Sequence, residues 1–477
     1  MKGWKIAIPL LLSCAAVLGC EGGNPASTGG GGAGGTTDGV GGGGTTTETE
    51  IEQDLAEKLA EIPGMTVVMD EVGNKGRRFL LEYMQPADHE DPAGPSFTQR
   101  MWLLHRAEDA PMVLGTTGYD LGFYEMEPAA LLDANQLIVE HRFFSPSRPD
   151  PADWRHLRIA QAAADHHRLV EALRPLYPGK WLSTGASKGG MTSVYHRRFY
   201  PADVDATIAY VAPHSYGEAD PRYVDFLQSV GDAACRDALQ AFQQEVLSRR
   251  AEMTARMIAA EGEQAYSYHG PDGALDYAVI ELPFTFWQYL DGSKCASIPG
   301  AGATDDEVWA FLDDIVSPSF WADEAFYRYE PYYFQAAVEL GYPGYDDSHL
   351  AGLLTVPLGA DVASSQVEPG PTKEMALDEA AMLDVASWLS TEGERMMFVY
   401  GENDPYSAAA FEPGGAKDSY RFFVPAGNHG ASIGDLPEGD RTAALAALEA
   451  WAGVAPKPVP PEALAEQRVA RLRSRPR

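Results

Sequence analysis

Gly185-Ala186-Ser187-Lys188-Gly189 is a G-x-S-x-G segment, preceded by the strand-like run 180–184 and followed by the helix-like run 191–199. Small residues around a serine let a strand turn sharply into a helix, which stands the hydroxyl clear of a sheet and aims backbone amides at an incoming carbonyl. Ser187 is therefore the candidate nucleophile. In a chain with 48 glycines the pattern is weak by itself, so its partners must be found. The run 396–400 reads as a buried strand and opens into the turn 401–405, which carries Asp404. A second short strand, 420–424, leads to 425–430, which carries His429.

The order Ser187, Asp404, His429, with acid and base on loops after two late strands, matches the α/β-hydrolase arrangement. In that arrangement the imidazole takes the serine proton, the carboxylate orients the imidazole, and the imidazole then protonates the leaving group. Two backbone amides are expected to hold the oxyanion: that of Lys188, and one from the loop 115–119, at Thr116 or Thr117, after the strand 112–114.

The rest of the chain is consistent with such a fold. Strand-like runs 65–72, 77–83 and 98–105 suggest an antiparallel start to the sheet. Runs 112–115, 137–141, 181–184 and 207–211 then alternate with helical patterns such as 154–173, which predicts a doubly wound, mostly parallel sheet. From about 215 to 384 the strands stop, and helix-like segments 234–260, 305–315 and 372–389 dominate, with aromatic clusters between them. This span reads as a mainly helical cap inserted between a first core part, 51–214, and a second, 385–455. The tail 456–477 is Pro-rich and then Arg-rich, a disordered or surface-lying end.

A net charge of −33, spread along the chain, argues against nucleic acid as a partner and favours a soluble surface. Lys2 and Lys5 precede an apolar run, 6–18, too short for a stable membrane anchor and of the form of an export signal. It ends at Val17-Leu18-Gly19-Cys20, which resembles the bacterial lipobox, making Cys20 the lipidation site and 1–20 a lipoprotein signal; cleavage near Ala15-Ala16 is the ordinary secretory alternative. Glu21 differs from the aspartate associated with inner-membrane retention, so the outer membrane or cell surface is the expected destination. The Gly/Thr-rich tract 21–50 reads as a flexible tether, and membrane contact is expected through the lipid alone. With Cys14 in the signal and Cys20 lipidated, Cys235 and Cys295 remain to form a disulfide or to stand as separate buried thiols.

The run 183–206, which holds the elbow and His196-Arg197-Arg198-Phe199-Tyr200-Pro201, is followed by Tyr210-Val211-Ala212-Pro213. With 400–405, 427–430, 134–137, 140–144 and the cap segment 283–289, these stretches resemble the secreted bacterial prolyl tri- and tetrapeptidyl aminopeptidases over roughly residues 60 to 455. The resemblance implies a serine exopeptidase that removes short peptides from a free N-terminus after proline, with Ser187, Asp404 and His429 as its triad. Segments 286–289 and 140–142 also resemble prolyl carboxypeptidases and dipeptidyl peptidases, which share the proline preference and differ in the end they read.

A rigid, apolar proline ring suits a pocket of aromatic faces, for which Phe286, Trp287, Tyr289, Tyr332 and Tyr333 are the candidates, unless they form the cap's core. An ammonium-reading site needs a carboxylate, and Glu125, Glu127 and Glu140 are the candidates, unless arginine pairing uses them. The side chain of Lys188 points away from its neighbour's chemistry, and the S-x-x-K pattern fails at Gly190. His166-His167 with Asp165 lack an H-E-x-x-H pattern, so neither metal nor cofactor is predicted. An ester hydrolase using the same three residues, and a surface lipoprotein that binds peptides without cleaving them, are the alternatives.

Overall fold

A computed structural model describes residues 54–359, 361–368 and 375–458. The export signal with Cys20, the tether and most of the Arg-rich tail lie outside the described residues.

Nine strands form one sheet in the order β1-β2-β3-β5-β4-β6-β7-β8-β9. They are β1 (Met65–Gly73), β2 (Gly76–Pro86), β3 (Ser96–His105), β4 (Met112–Thr116), β5 (Asn135–Val139), β6 (Trp181–Ala186), β7 (Ala206–Tyr210), β8 (Met396–Gly401) and β9 (Tyr420–Val424). β1, β2, β3 and β5 pair antiparallel in turn; from β5 through β4 to β9 every pairing is parallel. The central strands β4, β7 and β8 are buried throughout, as continuous apolar runs covered on both faces must be.

Alternation along a strand sends neighbours to opposite layers. On β4, Leu114 joins Leu137, Leu169 and Leu173, whereas Val113 joins Leu182, Ile208, Leu448 and Trp451. The first layer is supplied by α1 (Leu55–Ala60) and α3 (Ile159–Leu173), the second by α2 (Glu127–Leu132) and the last helix, α13 (Glu438–Ala452). Between them in sequence lies α4 (Lys188–Phe199), which follows β6 directly and packs on α3.

Between β7 and β8 the chain leaves the sheet and forms α5 (Pro221–Ser229), α6 (Ala233–Ser248), α7 (Arg250–Glu261), α8 (Gly270–Tyr289), α9 (Asp305–Val316), α10 (Asp323–Gln335), α11 (Val362–Ser365) and α12 (Glu379–Glu392). Their own core gathers Leu239, Phe242, Leu275, Leu312 and Tyr329. Cys235 of α6 and Cys295 form a disulfide across this layer, with Cα atoms 5.2 Å apart. α12 differs from the others: its Val385, Trp388 and Leu389 pack with Phe398 and Tyr400 of β8, so the 384/385 boundary falls within a helix that covers the sheet.

Three helical runs differ from the sequence reading, and the first, 154–173, is a short turn at Trp154–His156 followed by α3 from Ile159. The run 234–260 is interrupted at Arg249, which leaves helical geometry at φ −102°, ψ 23° and whose side chain pairs with Glu245 and Asp305. The helix expected over 372–389 is described from Glu379, where the Asp378 side chain accepts the Ala380 N–H and so fixes the start.

Candidate active site

β6 runs into α4 through Ser187, whose backbone takes φ 55°, ψ −130°. Such a conformation costs a non-glycine residue about 1–3 kcal/mol and persists only where its surroundings enforce it. Here they do: Ser187 N–H donates to Tyr210 O of β7 at 2.9 Å, and Ser187 O accepts from Met191 N in α4 at 3.0 Å. The flanking glycines are a steric requirement, since a Cβ on Gly185 would lie 2.3 Å from the Gly189 carbonyl, and one on Gly189 would lie 2.5 Å from Thr116 O.

Asp404 follows β8 and is fully buried. Its Oδ1 accepts the Tyr406 N–H at 3.1 Å, capping the turn Pro405–Ala409, while Oδ2 meets His429 Nδ1 at 2.7 Å. The side chain of His429, after β9, is 8% exposed, and its Nε2 is buried without a hydrogen-bond partner among the described residues. Ser187 and His429 line one cavity and are not joined by a hydrogen bond. The histidine's loop hangs from the cap: His429 N–H donates to Gln288 O at 2.9 Å, and Asn428 Nδ2 to Tyr289 O at 3.0 Å.

That cavity has a volume of about 2180 Å³, against roughly 300–1,000 Å³ for a typical small-molecule pocket. Tyr289, Tyr332 and Tyr333 line it, joined by Tyr119, Tyr329 and Tyr406, which sequence reasoning missed. Phe286 and Trp287 do not: both are buried in the cap core, Trp287 against Gly231. Helix phase explains this, because Glu281, Thr285, Gln288 and Tyr289 of α8 lie at i, i+4, i+7 and i+8 and share the cavity face, which turns 286 and 287 away.

All three predicted carboxylates are used structurally and lie off the cavity lining. Glu125 pairs with Arg106 and with Lys75 Nζ at 3.0 Å. Glu127 accepts the N–H groups of Ile433 and Gly434, each at 2.9 Å. Glu140 is fully buried and holds Arg100 at 2.9 Å, Ser147 Oγ at 2.6 Å and Leu121 N at 2.9 Å. The acids that do face the cavity include Asp120, Glu281, Asp291, Asp313 and Asp314; Arg328, paired with Asp120 at 2.7 Å, is the one lysine or arginine of the lining among the described residues.

Glu281 stands apart within that set. The hydroxyls of Tyr345 (2.6 Å) and Tyr342 (3.2 Å) both donate to Oε1, leaving Oε2 without a hydrogen bond among the described residues. Burial pushes its pKa up to about 7, with the two tyrosines opposing the rise.

Of the expected oxyanion loop, Thr116 and Thr117 turn their hydroxyls onto carbonyls: Thr116 onto Gly189 O at 2.7 Å, Thr117 onto Val139 O at 2.8 Å. The loop backbone from Thr116 to Tyr119 borders the cavity beside Ser187. As the first residue of α4, Lys188 has an N–H with no intrahelical acceptor. His166 and His167 are not part of this site; among the described residues no group of three or more His, Cys, Asp or Glu is placed to hold a metal.

A mostly parallel, doubly wound sheet, with a strained serine at the C-terminal end of a central strand and a helical insertion over it, is an α/β-hydrolase fold. Residues 49–476 match the PS-10 peptidase S37 family. The chain belongs to that family and is a serine peptidase.

The prolyl tri/tetrapeptidyl aminopeptidase of Streptomyces mobaraensis is 42% identical over 420 residues, covering 86% of this chain and 87% of that protein. Among solved structures, a proline iminopeptidase from Mycobacterium smegmatis is 12% identical with a TM-score of 0.33, covering 82% of this chain and 99% of that one. A homoserine O-acetyltransferase from Staphylococcus aureus is 13% identical with a TM-score of 0.33, covering 76% and 88%.

Proposed function

We propose that this serine peptidase releases tri- and tetrapeptides from free N-termini by cutting after proline, through an acyl-enzyme on Ser187. The observation that carries the reading is the 2.7 Å contact between Asp404 Oδ2 and His429 Nδ1, which leaves Nε2 buried and unpartnered in the cavity that Ser187 also lines. A proton acceptor held in one orientation by a buried carboxylate is what a serine hydroxyl needs to become nucleophilic.

In the first half-reaction His429 Nε2 takes the Ser187 proton as Oγ attacks the prolyl carbonyl. The tetrahedral oxyanion is held by the Lys188 N–H and a second N–H of the loop from Thr116 to Tyr119. His429 then protonates the departing amine, and water, deprotonated by the same nitrogen, frees the peptide acid and restores Ser187. Tyr289, Tyr332 and Tyr333 supply flat, apolar faces for the proline ring.

Glu281, rather than the three acids expected from sequence, receives the substrate ammonium in this reading. It faces the cavity, carries no cationic partner, and has one free carboxylate oxygen. A cation arriving there offsets the burial of the acid.

The test is turnover of free tripeptide and tetrapeptide amides ending in proline, beside short-chain esters. Release of the chromogenic amine by residues 51–477, abolished in Ser187→Ala with the fold intact, is expected. Turnover of esters alone would establish the ester hydrolase instead. Export with a lipid on Cys20 also belongs to this reading; fatty-acid labelling lost in Cys20→Ser is expected, and unlabelled full-length protein would contradict it.

A further inference from the structure

Lys188 is 3% exposed, and its ammonium has no ion-pair partner among the described residues. A buried ammonium without an opposite charge beside it is costly. Its one hydrogen bond is to Gly118 O, at 2.9 Å; the rings of Tyr119 and Phe144 lie 5.8 and 5.7 Å from Nζ. Burial lowers its pKa to about 7, with Glu339 opposing through space.

The side that this ammonium occupies matters. Lys188 lines a separate void of about 10 Å³ with His141, Thr192 and Tyr195, behind the loop, while Gly118 and Tyr119 line the large cavity beside Ser187. Residue 118 must be glycine for this approach, because a Cβ there would sit 2.4 Å from Lys188 Cβ. The described cis bonds are Ser145-Pro146 and Asp150-Pro151, so the Gly118–Tyr119 peptide is trans. In a trans peptide the carbonyl and the following N–H point in opposite directions. A carbonyl pulled back onto Lys188 turns the Tyr119 N–H forward.

We propose that Lys188 is a positioning residue whose ammonium fixes the Gly118–Tyr119 peptide, making the Tyr119 N–H the second oxyanion donor beside the Lys188 N–H itself. The ammonium also draws electron density from the carbonyl, which polarises the N–H at the other end of the same amide. The elbow residue thus supplies one donor from its backbone and aims the other with its side chain. This rests on Ser187 being the nucleophile.

The test measures Lys188→Met for kcat, KM and affinity for two ligands, a peptidyl-proline aldehyde that forms an oxyanion on the serine and the product peptide acid. Loss of an aimed donor lowers kcat and aldehyde affinity by about 100-fold, with KM and product affinity little changed. Lys188→Gln keeps an uncharged donor and is expected between Met and the parent enzyme; it carries the same readouts if the Met variant does not fold. Aldehyde affinity and kcat within threefold of the parent would overturn the proposal, as would equal losses in product and aldehyde binding. Failure of the nucleophile reading is distinguishable, since Ser187→Ala would then remain active.

Discussion

The carbonyl of Gln288 accepts the backbone N–H of His429 at 2.9 Å, so the imidazole's loop is suspended from the last turn of a cap helix. Beside it, Asn428 Nδ2 reaches Tyr289 O at 3.0 Å and Leu290 O at 3.4 Å. The histidine is thereby located from two directions: the Asp404 carboxylate fixes its ring, and the cap fixes its backbone.

Removing the Asn428 amide tests the second support without touching the proposed triad. Asn428→Ala deletes hydrogen bonds worth about 0.5–1.5 kcal/mol each. A fall in kcat of roughly 3- to 10-fold is expected for one such bond. Unaltered kcat would show that the loop holds its place without the cap.

Glu281→Gln preserves shape and removes the charge. For a substrate with a free N-terminus, kcat/KM is expected to fall by roughly 10- to 100-fold, the loss of one charge-assisted hydrogen bond of about 1.5–3 kcal/mol. For the same peptide acetylated at its N-terminus, parent and variant are expected to turn over alike. Equal losses on both substrates would assign Glu281 to the pocket's structure.

Acid stability has a definite sign at His166, a base whose pKa burial lowers from 6.5 to about 3. Unfolding restores its ordinary value, so between about pH 6.5 and 3 the unfolded chain binds the extra proton and stability drops as pH falls. Glu281 and Glu339, raised by burial to about 7, act oppositely above pH 4.5, so the variant difference isolates the histidine. His166→Leu is expected to lose less stability than the parent between pH 6.5 and 4, measured by denaturant midpoint. Parallel curves would show that His166 does not carry the proton.

The placing of Ser187 and His429 on one cavity, with Asp404 against the imidazole, was open to sequence reading because each follows a short apolar strand, Ser187 opening a helix and the other two preceding turns. The nine strands were readable for a similar reason, as runs such as 396–400 are short apolar stretches bounded by turns or helical patterns. The cavity lining was not. Whether Phe286 or Tyr289 faces the cavity depends on the rotation of α8 about its axis, set by packing against α6, α7 and α9 rather than by any local pattern. An acid such as Glu281 carries no local mark either; its role depends on Tyr342 and Tyr345 closing on one oxygen from some sixty residues away. Glu125 lay just past the expected oxyanion loop and Glu140 at a strand end, and the arginines that neutralise them, Arg106 and Arg100, sit on or beside a neighbouring strand.

The positive φ at Ser187 sets activity and robustness against each other at a single position. Glycine tolerates that conformation and alanine does not, so Ser187→Gly is expected to melt above Ser187→Ala, by the equivalent of about 1 kcal/mol, with neither expected to turn over substrate. On the proposed mechanism, selection for thermal endurance alone would erase the hydroxyl, and the tension in this turn serves turnover.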